Sequence, residues 1–184
     1  MELLGRFASG DIEAFEALFR LLQAEVYGWI VRIVRDPGAA EDLTVETFWR
    51  IYRAHARFDP TKNPVPWVRR IATNVALDYL KHKQPESELS DEVGQANSPD
   101  PVLAHELQRQ IQRAFHRLPP KLRIAAILAL VEERPYEVIA EALGTTAGAV
   151  KLRVFRAVRM LRKQLNHLGV NPSWKTMTKK FGES

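Results

Sequence analysis

Residues 137–165 contain two helical patterns separated by a single glycine, and this arrangement constrains the fold more than any other feature of the chain. Gly144 interrupts the first pattern, as a glycine just past the end of a helix commonly does. Thr145 or Thr146 can cap the second helix, because a side-chain hydroxyl accepts a hydrogen bond from a free backbone N–H. The stretch therefore predicts two helices joined by a tight turn, the first with an apolar face made of Val138, Ile139, Ala142 and Leu143.

The second helical pattern separates an apolar stripe from a basic face. The stripe recurs at helical spacing and consists of Val150, Val154, Ala157, Leu161 and Leu165. The opposite face holds Lys151, Arg153, Arg156, Arg159, Arg162 and Lys163. No Asp or Glu occurs between Glu141 and Glu183, so these cations have no acidic neighbours along the sequence. This pattern is typical of a helix-turn-helix whose second helix enters the major groove of DNA. The alternative is a solvated basic helix on a helical bundle, and the charge asymmetry argues against it.

Composition limits the classes of protein that the chain can belong to. The formal net charge is +5 and the isoelectric point is near 9.6, which suits a polyanionic partner. The absence of cysteine excludes disulfides, zinc-thiolate sites and a thiol switch within this chain. The sequence has no signal-peptide pattern and no run of about 18 apolar residues. We therefore expect a cytoplasmic protein that makes no membrane contact of its own.

Charge also divides the chain into segments. Residues 84–104 hold five acidic residues and no lysine or arginine, together with three prolines, and they predict a flexible acidic linker. Residues 105–168 are basic and contain the helix-turn-helix, whereas residues 1–83 are nearly neutral. We therefore predict domains at 1–83 and 105–168, joined by the 84–104 linker. The basic tail at 169–184 has no assigned role.

The first domain has helical periodicity throughout. Asp11 can cap a helix with an apolar stripe made of Ile12, Phe15, Leu18, Phe19, Leu22, Val26 and Ile30. Asp36–Pro37–Gly38 ends that helix, and a second runs from Ala39 to Arg57 with Leu43, Phe48, Ile51 and Tyr52 inward. The proline-rich stretch Phe58–Pro66 predicts a loop, and Trp67–Lys83 predicts a third helix with Trp67 in the core. The predicted fold class is all-α, with two small helical domains and a helix-turn-helix in the second.

The residues that catalysis or metal binding would need are missing or scattered. The five histidines show no metal-ligand spacing, and no glycine-rich phosphate loop is present. Glu132 and Glu133 are adjacent, so on a helix they would point to different faces. We expect neither an enzyme nor a bound metal or cofactor.

Four segments in order resemble the extracytoplasmic-function (ECF) group of bacterial RNA polymerase sigma factors. They are GDIEAFEALF at Gly10–Phe19, AEDLTVETFWRIYR at Ala40–Arg53, PWVRRIATNVALDYL at Pro66–Leu80 after FDP, and LPPKLR at Leu118–Arg123 before the helix-turn-helix. Each segment alone is moderately specific, but their order and spacing together are highly specific. The resemblance covers most of the chain.

The resemblance implies a promoter-specificity subunit that binds the clamp helices and flap of core RNA polymerase, promoter DNA and an anti-sigma factor. The residues it implies for polymerase binding are Asp42, Glu46, Phe48, Arg50 and Arg53. Those it implies for the −10 element are Lys62, Asn63, Arg69, Arg70 and Asn74. Those it implies for the −35 element are Thr146, Ala147, Gly148, Lys151, Arg153 and Arg156. Positive charge and reach suit Arg69 and Arg70 to phosphate contacts, whereas Arg153 and Arg156, three apart on the exposed side of the second helix, are expected to read guanine in the −35 element.

The chain departs from the family pattern at several positions, among them Arg134–Pro135 before the first helix of the motif, and two other interpretations remain open. Val45 stands where the family usually has Gln, and Leu152 replaces a small hydroxyl residue near DNA. One alternative is a self-sufficient helix-turn-helix regulator with a helical sensor, although no pattern for a ligand pocket or dimer seam is evident. The other is a sigma-like decoy that titrates an inhibitor, and the intact DNA-reading positions argue against it.

Overall fold

The computed structural model describes residues 2–82 and 101–166, which form α-helices linked by short turns and contain no strand. The helices are α1 (Glu2–Ala8), α2 (Ile12–Val34), α3 (Pro37–Arg53), α4 (Pro64–His82), α5 (Pro101–His116), α6 (Pro120–Ala126), α7 (Tyr136–Leu143) and α8 (Ala147–Asn166). A 3₁₀ turn occupies His55–Arg57, and a π-helical turn follows α6 at Ile127–Val131. The predicted all-α class is confirmed. Most of the predicted linker, and the tail, lie outside the described residues.

Two aspartates begin the long helices of the first domain. Asp11 accepts hydrogen bonds from the backbone N–H groups of Glu13 and Ala14, and Asp36 accepts one from Ala39. A side-chain oxygen at this position satisfies N–H groups that have no partner within the helix. The predicted cap at Asp11 and the helix break at Asp36 are therefore confirmed.

Two helix ends differ from the prediction. Helix α3 ends at Arg53 rather than Arg57, because the chain tightens into the 3₁₀ turn. Helix α4 begins at Pro64 rather than Trp67. Prolines are tolerated in a first turn, where no N–H donor is needed, and the Asn63 side chain accepts a hydrogen bond from Val65 N at 3.0 Å.

The core of the first domain forms where α2, α3 and α4 pack together. Trp29 is buried on α2, and its indole N–H donates to the hydroxyl of Thr73 on α4 at 2.9 Å. Ile12 is 60% exposed, so its predicted place in the buried stripe is wrong. The predicted members Leu18, Val26 and Ile30 are buried, and Ala14 and Trp29 join them on the packed face of α2.

The helix-turn-helix forms as predicted. Gly144 ends α7 in the left-handed conformation, with φ of 59°, and the Thr146 hydroxyl accepts a hydrogen bond from Ala149 N at 3.2 Å. Every member of the predicted α8 stripe is buried, from Val150 to Leu165. The stripe packs α8 on α6 and α7, and the basic face is left outward.

The two domains pack directly against each other. Helix α4 contacts α6 and α7, and α2 contacts the π-helical turn. One apolar cluster joins residues of both domains, and Arg32 Nε of the first lies 3.2 Å from Glu132 Oε2 of the second. No pattern in the amino-acid sequence predicts this contact.

Candidate nucleic-acid interface

The outward face of α8 brings the residues predicted for the −35 element together. Lys151 and Arg156 are exposed, as are Thr146 and Gly148 at the start of the motif, whereas Ala147 and Arg153 are half-buried. Among the described residues, no carboxylate forms an ion pair with a cation of α8. The buried stripe anchors α8 to the rest of its domain, so the outward face of the helix is a preorganised basic surface.

Two large apolar side chains also project from this face. Leu152 is 48% exposed and Phe155 is 64% exposed, and both stand among the cations of α8. Sequence reasoning noted Leu152 only as a departure from the family pattern and did not single out Phe155. Apolar side chains in the major groove contact the methyl group of thymine, so this face combines charge with apolar contact.

The loop before α4 holds the first two residues predicted for the −10 element. Lys62 and Asn63 are exposed, and Lys62 lies 3.5 Å from Asp59. Hydrogen bonds from the Thr61 hydroxyl and backbone N–H lower the pKa of Asp59, which keeps this carboxylate charged. The loop is therefore ordered and presents one cation and one amide to solvent.

The three predicted residues within α4 have different surroundings. Arg69 is held by Glu25 at 2.6 Å, and its guanidinium lies 5.2 Å from the centre of the Trp29 ring. Arg70 and Asn74 are exposed. Arg69 is thus engaged within its own domain, whereas Arg70 and Asn74 present polar groups at the surface.

The aromatic residues near this site belong mainly to the core. Trp67 packs against Phe7 and Phe58, with ring centres 6.3 and 5.0 Å apart, and Phe58 is buried. The prediction that Trp67 lies in the core agrees with these contacts. Phe58 and Trp67 therefore support the fold of the −10 region.

Helix α3 presents charged residues on one face, and one predicted member of that face is buried. Phe48 is only 3% exposed and packs on Phe19, with ring centres 4.6 Å apart, so the expectation that it binds polymerase is corrected. The phase of α3 turns Phe48 toward the core and turns the next residue along the helix toward solvent. That position is occupied by Trp49, which is 54% exposed, and Val45 nearby is also exposed.

The charged residues of α3 form a network with α4. Glu46 and Arg50 are joined at 2.7 Å, Arg50 reaches Asp78 at 3.3 Å, and Asp78 accepts from Lys81 at 3.0 Å. The hydrogen bond that Arg50 donates to Glu46 raises the pKa of Arg50, and those that Lys81 and Arg50 donate lower the pKa of Asp78. Arg50 and Asp78 are therefore both held in their charged forms. Asp42 and Arg53 are exposed beside it.

Within residues 2–82 and 101–166, no cluster of three or more His, Asp or Glu side chains could hold a metal ion. None of the helices in these two ranges combines the length and apolarity that crossing a bilayer requires.

Each domain of the chain is similar to a known protein family. Residues 18–86 match Sigma-70 region 2, and residues 108–161 match Sigma-70, region 4. The chain is 33% identical to the RNA polymerase sigma factor CarQ of Myxococcus xanthus, over 89% of this chain and 95% of that protein. It is 31% identical to the ECF RNA polymerase sigma factor SigW of Bacillus subtilis, over 86% and 92% respectively.

Solved structures agree at the level of the fold. The structure of CnrH in complex with the cytosolic domain of CnrY matches with a TM-score of 0.58, covering 90% of this chain and 96% of that chain, at 21% identity. The sigma factor RpoE of Bartonella quintana, in complex with the anti-sigma factor NepR, matches with a TM-score of 0.52, covering 83% and 96%, also at 21% identity. The similarity to relatives in sequence shows the family as well as the fold, and the chain belongs to the ECF RNA polymerase sigma factors.

Proposed function

We propose that this sigma factor docks on core RNA polymerase through α3, reads the −35 element with α8, and reads and helps to open the −10 element with α4 and the loop before it. The observation that supports this proposal best is the preorganised basic face of α8, which stands on a fully buried stripe. The proposal assigns docking and −10 reading to residues 1–83 and −35 reading to residues 105–168.

The −35 contact follows from the geometry of α8. Residues near the start of a recognition helix contact base edges in the major groove. Arg156 is exposed and can donate two hydrogen bonds to a guanine, the commonest specific contact of this kind. Thr146, Ala147 and Gly148 lie at the helix start, where backbone N–H groups can approach a phosphate. Arg153 is half-buried, so we assign it a contact with a phosphate of the DNA backbone rather than with a base edge.

The −10 contact uses exposed cations and amides. Four exposed residues lie in α4 or in the loop before it: Lys62, Asn63, Arg70 and Asn74. An opened strand is captured by cations along its backbone and by polar groups at its bases. Arg69 stabilises this surface from within through Glu25 and Trp29.

The docking face of α3 has an apolar centre among charged residues. Trp49 and Val45 are exposed, and Asp42, Arg53 and the Glu46–Arg50 pair surround them. Interface centres are enriched in tryptophan and arginine and rimmed by polar groups. This arrangement fits a protein partner, and we assign it to core polymerase.

The other partners and the site of action follow from membership of the family. A solved sigma factor of the same fold is bound to an anti-sigma factor, and we propose such a partner for this chain too. Catalysis resides in the polymerase, so this chain needs no catalytic residues of its own. It acts where the polymerase acts, which is the cytoplasm.

No observation favours the self-sufficient regulator. The sigma-factor relatives match over both domains, including the first, where that alternative requires an unrelated sensor.

A binding titration distinguishes a sigma factor from a self-sufficient regulator. A single reading module has weak, salt-sensitive affinity, whereas two modules fixed on one polymerase bind the promoter as a bivalent unit. We expect little promoter preference from the purified chain and a clear preference once core polymerase is added, measured by fluorescence anisotropy on matched and scrambled promoters. Tight specific binding by the chain alone, unchanged by polymerase, would support the regulator instead.

A further inference from the structure

Helix α4 carries two pairs of residues, each pair one turn apart, and the two pairs face in different directions. Arg69 and Thr73 face α2, where each contacts a side chain of that helix. Arg70 and Asn74 follow these two residues directly in the chain, and both are exposed. Since residues four apart share one helix face, any rotation of α4 that moves the first pair also moves the second.

We propose that Glu25 and Trp29 of α2 are positioning residues for reading of the −10 element, and that Arg69 is their partner on α4 instead of a contact to DNA. The inference rests on the proposed function, in which Arg70 and Asn74 face the −10 element. It identifies the contacts that set where these two exposed side chains stand.

Arg69 is held by two contacts with α2. Its Nη2 lies 2.6 Å from Oε1 of Glu25, and its guanidinium carbon lies 5.2 Å from the centre of the Trp29 ring. A cation near the face of a tryptophan is attracted by the ring electrons. Oε1 of Glu25 and Nε of Arg69 are both shielded from water. To reach a phosphate, the guanidinium would have to leave both partners, so the geometry disfavours DNA binding by Arg69.

Thr73 makes the matching contact one turn further along α4. The Trp29 indole N–H donates to the Thr73 hydroxyl at 2.9 Å, and that hydroxyl donates to the backbone carbonyl of Arg69 at 2.7 Å. Trp29 and Thr73 are buried, so a lost hydrogen bond between them would leave a polar group without a partner. Trp29 therefore contacts two successive turns of α4, which fixes the rotation of that helix.

The same contacts extend to the loop before α4. Val65, in the first turn of α4, lines a groove between α2 and α4 together with Glu25 and Arg69. The backbone N–H of Val65 donates to the Asn63 side chain at 3.0 Å, and Asn63 belongs to the proposed −10 surface. The contacts with α2 therefore position this loop as well as the exposed face of α4.

Removal of the Glu25 charge gives the sharpest test, because the proposal predicts the opposite sign from simple electrostatics. Loss of a carboxylate near DNA ordinarily strengthens binding to a polyanion. Glu25→Gln should instead weaken binding by about fivefold, since Arg69 loses its ionic partner and α4 shifts. The probe is a fluorescent single-stranded oligonucleotide whose −10 sequence is first selected with core polymerase that carries the native chain. Glu16→Gln is the matched control, because its ion pair with Arg20 lies within α2.

Charge reversal tests whether Arg69 acts through Glu25. Arg69→Glu places two carboxylates together and should weaken binding of the same probe by about tenfold or more. Adding Glu25→Arg restores an ion pair in the opposite direction and should recover most of the loss. A lost phosphate contact would not be recovered, because position 69 would still carry a carboxylate. Thermal unfolding and pull-down of core polymerase establish that the variants fold and dock.

The salt dependence of probe binding decides the question even if the charge-reversed variants do not fold. Arg69→Gln should leave the slope of log affinity against log salt unchanged. Arg70→Gln should reduce that slope by about 0.7, the usual contribution of one phosphate contact to a single strand.

Two results would overturn the proposal. One is unchanged or tighter binding by Glu25→Gln, and the other is a slope that Arg69→Gln reduces as much as Arg70→Gln does. Selection of no −10 sequence by polymerase that carries the native chain would instead contradict the proposed function, so the two failures are distinguishable.

Discussion

A Cβ atom placed on Gly144 would lie 3.0 Å from the Cζ, Nε and Nη2 atoms of Arg70. This glycine also has a φ of 59°, in the left-handed region that L side chains rarely adopt. Two independent requirements therefore meet at one residue. The turn of the helix-turn-helix needs the backbone conformation, and the Arg70 side chain of the neighbouring domain would have to shift to admit a Cβ atom.

Replacement of Gly144 separates these two requirements. Gly144→Ala should lower the free energy of unfolding by about 1–2 kcal/mol, because a non-glycine residue in the left-handed region is strained. Gly144→Asn should be less damaging, since Asn tolerates this conformation better. Urea unfolding measures both, and the same substitutions in an Arg70→Ala background show how much of the loss comes from the contact with Arg70. Equal stability of Gly144→Ala and the native chain would contradict the role of the turn.

The helix-turn-helix could be predicted from the sequence because its determinants are local. The glycine, the Thr146 cap and the α8 stripe act within one or two helical turns, and the structure has all three. The −10 and docking residues were harder to assign, since their exposure depends on the packing of three helices. Phe48 and Trp49 are neighbours, and only the phase of α3 in the bundle decides which one is buried.

The contact between the domains could not be predicted from the sequence. Arg32 and Glu132 are distant in the chain, and each looks like an ordinary surface charge in its own segment. Arg123 also lacks any local signal, because it occurs in a basic stretch where exposure is the usual expectation. These features depend on tertiary packing, which helical periodicity does not report.

Arg153 and Arg156 should contribute differently to promoter discrimination. Arg156→Ala should lose about 1–3 kcal/mol of preference for a matched over a mismatched −35 element, because a bidentate contact to guanine is removed. Arg153→Ala should weaken binding to both elements alike and reduce its salt dependence, as expected for a phosphate contact. Competition binding in complex with core polymerase measures both effects, with Arg20→Ala on α2 as the control. An unchanged preference in both variants would contradict the assignment of this face to the −35 element.

Leu152 should tune the sequence that α8 reads. Its exposed side chain is apolar, so we expect it to favour a thymine whose methyl group it contacts. Leu152→Ser should reduce the preference for thymine at one −35 position by about 1–3 kcal/mol, the usual contribution of a base contact. The preferences at the other positions should not change. Selection from a randomised −35 library identifies that position. A library profile identical to that of the native chain would show that Leu152 does not contact a base.

Two neighbouring aromatic residues of α3 provide a matched test of the docking face. Trp49→Ala should weaken polymerase binding with little change in stability, because Trp49 is exposed. Phe48→Ala should instead cost about 3–5 kcal/mol of stability, since it empties a packed core position. Asp42→Arg should weaken polymerase binding while leaving DNA binding by the free chain intact. Pull-down of core polymerase and thermal unfolding separate the two effects, and normal polymerase binding by both Trp49→Ala and Asp42→Arg would exclude this face.

The most direct test of the account is run-off transcription with permanganate footprinting, performed with bacterial core polymerase in the presence and absence of this chain. A sigma factor should give core polymerase initiation at a defined start site and permanganate-reactive thymines at the −10 element, where opened bases become accessible. Asp42→Arg should remove both signals. If core polymerase gains neither initiation nor an opened −10 region from the native chain on any promoter of a genomic library, the central claim is contradicted.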